Sequence, residues 1–172
     1  RQAMDWLQKC ARAATAAGVP LQWTAPSGFP VLQSYMDRTH RRVKTRLQGS
    51  LIYLSTVEDG DKLDGSKQAL AVSPNFVHSL DAAAMMLTIC LALDNGVDQF
   101  AMIHDSYGTV AADMDMLSAC LRHAFVDMYE DHDVLAEFLQ SLPEEARAKC
   151  PELPPKGDLN IQEVHNSEFF FA

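Results

Sequence analysis

What this sequence lacks narrows it first. Its four cysteines, Cys10, Cys90, Cys120 and Cys150, form no C-x-x-C pair and have no clustered histidine partner. Neither zinc-ligand spacing nor a disulfide framework is therefore encoded, and reduced thiols in an intracellular protein are expected. No run of about 18 apolar residues occurs, and no basic segment followed by an apolar core opens the chain, so no membrane partner is expected. Internal repeats and low-complexity tracts are absent as well. The first residue is Arg1 rather than Met, and a helical pattern begins at once, so a piece of something longer is expected.

What is present is enough for a buried core: 172 residues, 48% of them hydrophobic. The net charge of −9 speaks against nucleic acid when taken as a sum, but the charges are unevenly placed. The first 50 residues hold eight of the 14 basic residues and only Asp5 and Asp37 as acids, a balance of +6 against −15 for the rest. Within that part "DRTHRRVKTRLQG" gathers Arg38, Arg41, Arg42, Lys44 and Arg46 around His40. Such a patch suits phosphates, because Lys and Arg neutralise backbone charge and release counterions. On composition alone, an edge strand guarded by charge explains it about as well.

Periodicity supplies the elements. "QAMDWLQKCARAATAAG" places Ala3, Leu7, Cys10, Ala14 and Ala17 on one helical face, ended by Gly18 and Pro20. "LQWTA" and "VLQSY" read as short strands around the turn "PSGFP". The basic stretch and "SLIYLSTV" read as two arms of a β-ribbon turning at Gln48-Gly49-Ser50, an element able to enter a DNA groove. "EDGDKLDGSKQ" reads as loop. A long helix is expected to start at Ser79 as N-cap, with Asp81 in its first turn, Asn95-Gly96 as its stop and His78 at its mouth. A further helix capped by Asp113 presents Leu117, Leu121, Phe125 and Met128 to the core, and either continues through "HDVLAEFLQSL" or breaks near residues 131–133. "PEEARAKCPELPPKGD" reads as connector and "LNIQEVHNS" as a short helix or extended segment. His123, Asp127 and His132 are ordinary for an acidic helix surface and are not read as a metal site.

Between the two long helices, "QFAMIH" and "YGTVAA" read as strands joined at Asp105-Ser106. So short a turn holds the Asp105 carboxylate at an exposed tip backed by rigid strands, as a catalytic or metal-binding carboxylate requires. An isolated turn Asp is more often just a good turn former. The His-Asp-Ser string between apolar strands weakens that reading.

"SPNFVHSLDAAAMMLT", "FAMIHDSYGTVAAD", "WTAPSGFPV" and "LPPKGDLNIQEVHNSEFFFA" together resemble, in collinear order, the C-terminal part of single-subunit DNA-dependent RNA polymerases of the bacteriophage and mitochondrial type. His-Asp-Ser separates that group from related DNA polymerases, which usually carry His-Asp-Glu. The resemblance implies an α+β fold: a palm-type β-hairpin packed on long helices, and a fingers portion with a protruding β-ribbon. Residues 1–78 would be the C-terminal part of the fingers, with a promoter-specificity hairpin at about 31–58. Residues 79–172 would be the C-terminal part of the palm, ending in a C-terminal foot.

By the same resemblance Asp105 is a catalytic ligand of Mg²⁺ in two-metal nucleotidyl transfer, with the second aspartate supplied by the missing upstream part. His78, His104, Ser106 and the terminal Ala172 lie near nucleotide and template. Arg42 and Lys44 are the candidates for base edges, Arg41 and Arg46 for phosphates. Promoter and template DNA, nascent RNA, nucleoside triphosphates and the upstream remainder of the chain are the implied partners. The fragment alone is expected to be inactive. A cytoplasmic location, the host's for a phage-encoded enzyme, ranks ahead of a mitochondrial one. Two alternatives stand behind this reading: a non-catalytic remnant binding DNA or protein, and, further back, a DNA polymerase palm.

Overall fold

In the computed structural model, which describes residues 1–170, the first helix, α1, runs Gln2–Ala16 as the apolar spacing requires. Trp6, Leu7, Cys10 and Ala14 are buried on its inner side. It closes in a Schellman turn: Val19 N donates to Ala14 O and Gly18 N to Thr15 O, with Gly18 at φ +72°, a conformation that an L side chain resists. The expected short strands follow as β1 (Leu21–Thr24) and β2 (Pro30–Gln33), paired antiparallel.

The ribbon consists of β3 (Met36–Leu47) and β4 (Ser50–Leu63). Its turn is the two residues Gln48 and Gly49, at φ +50° and +83°, the pair of positive values that marks a type I′ hairpin. It is also displaced from the expected span of about 31–58. The stretch read as loop, "EDGDKLDGSKQ", supplies the end of β4 and the start of the next helix instead. Strand propensity there is poor, so cross-strand partners hold it. Leu63 stands opposite Met36 and Asp59 opposite Arg38, with Arg38 Nε 3.1 Å from Asp59 Oδ1. The chain entering the ribbon is locked to the helix leaving it by two buried amides. Gln33 Nε2 donates to Gln68 O (2.9 Å) and Oε1 (2.8 Å), while Gln68 Nε2 donates to Gln33 O (3.1 Å). Removing the Gln33 amide would leave the buried Gln68 Oε1 without its donor, at a cost of about 1–3 kcal/mol.

That helix, α2, spans Gly65–Asp94 and starts well before the Ser79 cap expected from sequence. Asp64 caps it, Oδ1 accepting from Ser66 N at 3.1 Å and Lys67 N at 3.0 Å, and these bonds hold its carboxyl below the usual range. Pro74 lies inside the helix although proline has no N–H for the carbonyl four residues back. Burial of Val72 and Phe76 on either side carries the helix through it. Ser79 is mid-helix: its Oγ donates to Phe76 O (2.7 Å) and accepts from Trp23 Nε1 (3.0 Å). The expected division near residue 78 therefore falls inside one continuous helix. By length and composition α2 is apolar enough to cross a membrane, with a mean hydropathy of 1.8 over an 18-residue window of which 28% is buried. No unbroken apolar run announced this, because polar residues such as Asp81 punctuate it.

A small hairpin, β5 (Ala101–Ile103) and β6 (Ser106–Gly108), leads through a 3-10 turn at Ala111–Asp113 into α3 (Met114–Asp131). Asp113 occupies the N-cap of α3 as expected, but its side chain makes no capping hydrogen bond. The break after Asp131 is real; α4 (Val134–Ser141) follows, with Asp133 Oδ1 accepting from Ala136 N at 3.2 Å. The connector contains a one-turn helix, α5 (Glu144–Arg147), and "LNIQEVHNS" forms a 3-10 segment at Ile161–Asn166.

The fold is α+β, but among the described residues its strands lie in three separate two-stranded sheets, so the helices carry the core. Phe138 of α4 is the hub, its ring centroid 5.3 Å from Phe76, 5.7 Å from Trp23 and 6.0 Å from Trp6. A second apolar cluster, Ala92, Val97, Leu117 and Cys120, lies between the end of α2 and the start of α3; Phe100, Met102 and Tyr107 pack on it and so anchor the hairpin.

Candidate active site and nucleic-acid interface

The hairpin tip differs by one residue from its expected form. Ile103 pairs with Ser106, so the turn is His104-Asp105, and Ser106 already begins the return strand. His104 has φ +53°, and Asp105 is not among the residues with positive φ. One positive value, at the first turn position, is the sign pattern of a type II′ turn, in which glycine is usual. A non-glycine residue held there costs about 1–3 kcal/mol and persists only where its surroundings over-determine it. Here Met102 and Tyr107, on the two strands behind the tip, supply that constraint by packing on the α2–α3 cluster. Asp105 is left exposed and directed.

Two hollows flank the tip. One, of about 500 Å³, is bordered by Asp105, Ser106, Tyr107, Met114, Ser118 and Phe170, between the hairpin, α3 and the C-terminal segment. The other, of about 510 Å³, is bordered by His78, Asp81, Met85, Met102 and His104, between the hairpin and α2. The fold thus brings His78 to His104 on one side of the tip and Asp105 to Ser106 on the other. Ala172 lies outside the described residues.

Asp81 was read as a helix-cap charge, and its place in this site was missed. Once α2 is known to start at Asp64, His78 and Asp81 are three apart on one helical face, and that face turns to the hairpin. Tyr107 was missed too. Burial first, and then the charges of Asp81 and Asp105, push its phenol from 10.0 up to about 12. Burial and Asp81 raise Tyr129 as well. Both phenols stay protonated at neutral pH, and neutral Tyr107 borders the hollow within reach of the charges of Asp81 and Asp105.

A larger hollow, about 750 Å³, opens at the root of the ribbon beside Arg12, Asp37, Asp64 and Ser66. Asp64 there is already committed to capping α2 and to Lys67, 3.1 Å away, so volume alone does not make this the functional centre.

Register divides the ribbon into two faces, since residues alternate along a strand and directly opposed pairs share a face. Arg38, His40, Arg42, Lys44 and Arg46 fall on one face, opposite Asp59, Val57, Ser55, Tyr53 and Leu51. The other face holds Thr39, Arg41, Val43, Thr45 and Leu47, opposite Glu58, Thr56, Leu54, Ile52 and Ser50. Arg41 is therefore separated from Arg38, Arg42, Lys44 and Arg46, with which the sequence grouped it. Arg38 is paired with Asp59, whereas Arg42, Lys44 and Arg46 make no ion pair among the described residues.

Comparison with known proteins decides the family. The family described as DNA-dependent RNA polymerase matches residues 1–150. The chain belongs to that family. It is 39% identical, over 99% of its length, to DNA-directed RNA polymerase 3B, chloroplastic, of Nicotiana tabacum. It is 35% identical to the DNA-directed RNA polymerase of Enterobacteria phage K11 and 34% identical to that of phage T3, again over 99% of the chain. It spans 17% of the tobacco polymerase and 21% and 22% of the two phage polymerases. The relatives include mitochondrial as well as chloroplastic and phage enzymes.

Asp105 suits one position in the shell of a hard divalent cation: its carboxylate is exposed and borders an open hollow. No group of three or more His, Cys, Asp or Glu able to hold a metal ion occurs among the described residues. Any Mg²⁺ ligated by Asp105 would draw its other ligands from elsewhere in a polymerase, from nucleotide phosphates and from water.

Proposed function

We propose that this chain is the C-terminal fingers-and-palm part of a DNA-directed RNA polymerase, in which Asp105 is one of two carboxylates serving nucleotidyl transfer. The observation that carries the reading is Asp105 itself: a carboxylate at the strained tip of an anchored hairpin, in a chain that belongs to this family. In that role Asp105 holds a fixed acceptor oxygen beside the growing end of the RNA, and Tyr107 excludes water behind it while staying neutral. The metal pair, when bound, would polarise the phosphoryl group and favour the attacking hydroxyl. The second aspartate comes from the preceding part of the polymerase.

On the other side of the tip His78 and His104 face template and nucleotide. The unpaired basic stripe, Arg42, Lys44 and Arg46, faces promoter DNA in the major groove, with Arg42 and Lys44 toward base edges and Arg46 on phosphate. Arg41 lies on the opposite face and is left out of that contact. The exposed apolar side of α2 is covered by the remainder of the polymerase, so its hydropathy reflects an internal interface rather than a lipid one. The host cytoplasm, for a phage-encoded enzyme, belongs to the same reading.

The test is Asp105→Asn in the full-length polymerase, which keeps the shape and removes the charge. Elongation should fall by about a thousandfold, the order expected when a preorganised charge contact at the reacting centre is lost, while promoter binding is kept. Near-normal elongation would overturn the proposal and leave the ribbon as the working part of a non-catalytic, DNA-binding remnant.

A further inference from the structure

The C-terminal segment is fastened to α3 by side chains: Gln162 Nε2 donates to Glu130 Oε1, and Arg122 holds the far end of the turn. Arg122 Nη1 donates to Val164 O at 2.6 Å and to Ser167 O at 2.7 Å, capping the end of the Ile161–Asn166 turn with a charged donor. Charge-assisted bonds of this kind are about twice as strong as neutral ones. The same guanidinium lies 5.4 Å from the centroid of the Phe170 ring, within cation–π range. Phe170 is further seated edge-on against Phe125, at 5.1 Å. Phe170 in turn borders the hollow that holds Asp105 and Ser106. The half-buried Arg122 thus sits one residue from Leu121, which lines that hollow, and joins it to the last described residues of the chain.

We propose that Arg122 is a positioning residue: it clamps the C-terminal segment so that Phe170 forms the wall of the Asp105 hollow facing α3. This rests on the polymerase reading above. Without the clamp, Ser167 O loses its charged donor, Val164 O keeps only the 3.4 Å bond from Ser167 N, the ring loses its cation, and the hollow opens on that side. Asp105 itself does not move, because its hairpin is anchored separately by Met102 and Tyr107.

The experiment is a double-mutant cycle in the full-length polymerase. Arg122→Ala is expected to slow elongation about tenfold, as a small misplacement at a reacting centre does, with promoter affinity unchanged. Phe170→Ala, which leaves α3 intact, should reproduce the loss, and the double variant should be no slower than either single one. Arg122→Lys, which lacks the fork and the planar stack, should fall between Arg122→Ala and the unaltered enzyme. A purely structural Arg122 would instead lower the unfolding midpoint and give losses that multiply with those of Phe170→Ala. Multiplying losses, or unimpaired elongation by Arg122→Ala, overturn the clamp. Asp105→Asn run in parallel separates the two proposals: if it elongates normally, the polymerase reading fails, whereas if it is inactive while Arg122→Ala is unimpaired, only the clamp fails.

Discussion

Two antiparallel hairpins of this chain share a connectivity and little else. β5–β6 has three residues on each strand and a turn strained at His104, and its inner side chains are sunk between α2 and α3. β3–β4 runs 12 and 14 residues, turns at Gln48-Gly49 with a non-glycine φ of +50° of its own, and is exposed over nearly its whole length. A small two-stranded hairpin is marginal in water on its own, so the short one exists because the helices hold it, and that grip gives its tip a fixed direction. The long one is held only at its root, by the Gln33–Gln68 amides and the Arg38–Asp59 pair, and gains reach instead. Direction is what a reacting centre needs, and reach is what a groove-reading element needs.

The sharpest way to break this contrast is to remove one hairpin and ask the other to carry on. Replacing residues 40–57 by a short turn in the full-length polymerase should reduce promoter-directed initiation by about 1,000-fold or more, the lower end of the ratio separating specific from non-specific DNA binding. Elongation from a preassembled RNA–DNA scaffold should be unchanged. A loss in both assays would show that the ribbon supports the catalytic centre as well.

Next in size is the difference between the ribbon's two faces. Arg42→Ala or Lys44→Ala should each cost about 1–3 kcal/mol of promoter affinity and relax preference at one base pair, while Arg46→Ala should lower the salt slope of binding by about one. Arg41→Ala should do neither, since register turns it away. Equal losses at Arg41 and Arg42 in a salt titration would show that the ribbon is gripped from both sides.

A smaller effect concerns pH and the anchored hairpin. Because the Tyr107 phenol is raised to about 12 in the folded chain, the unfolded state gives up that proton first. Stability from this group is full below its ordinary value of 10.0 and is lost as pH rises from there toward 12. Tyr107→Phe should make denaturant stability fall less steeply across that window, with no change of slope near neutrality. Identical slopes for both proteins would show that Tyr107 is less buried than described here. Smallest of all is Asp59→Ala at the ribbon root: its pair with Arg38 is exposed, so loss of at most about 0.5 kcal/mol is expected in thermal unfolding.

The same contrast explains what could be read from the letters. α1 was legible because its apolar spacing and Gly18 agree with each other, and the ribbon turn because Gln48-Gly49 brings its own backbone preference. The beginning of α2 was not legible: Pro74 and Ser79 are local signals for a boundary, and packing of Val72 and Phe76 overrode both. That one misplacement hid Asp81, whose face cannot be assigned until the helix start is known. β4 was cut short for a similar reason, its last residues being strand only because Met36 and Arg38 lie opposite. Arg122 carried no signal at all, since its partners are backbone carbonyls 42 and 45 residues away.

The sequence by itself determined the α+β composition, the position of the carboxylate between two apolar strands and, through its motifs, the polymerase family, because each depends on residue types and local order. Tertiary structure alone decided that His104 rather than Ser106 shares the turn with Asp105, that Arg41 leaves the basic stripe, and that Asp81, Tyr107 and Phe170 join the site. Those facts depend on register and on contacts between distant segments, and a one-residue slip in pairing exchanges the faces of a whole strand.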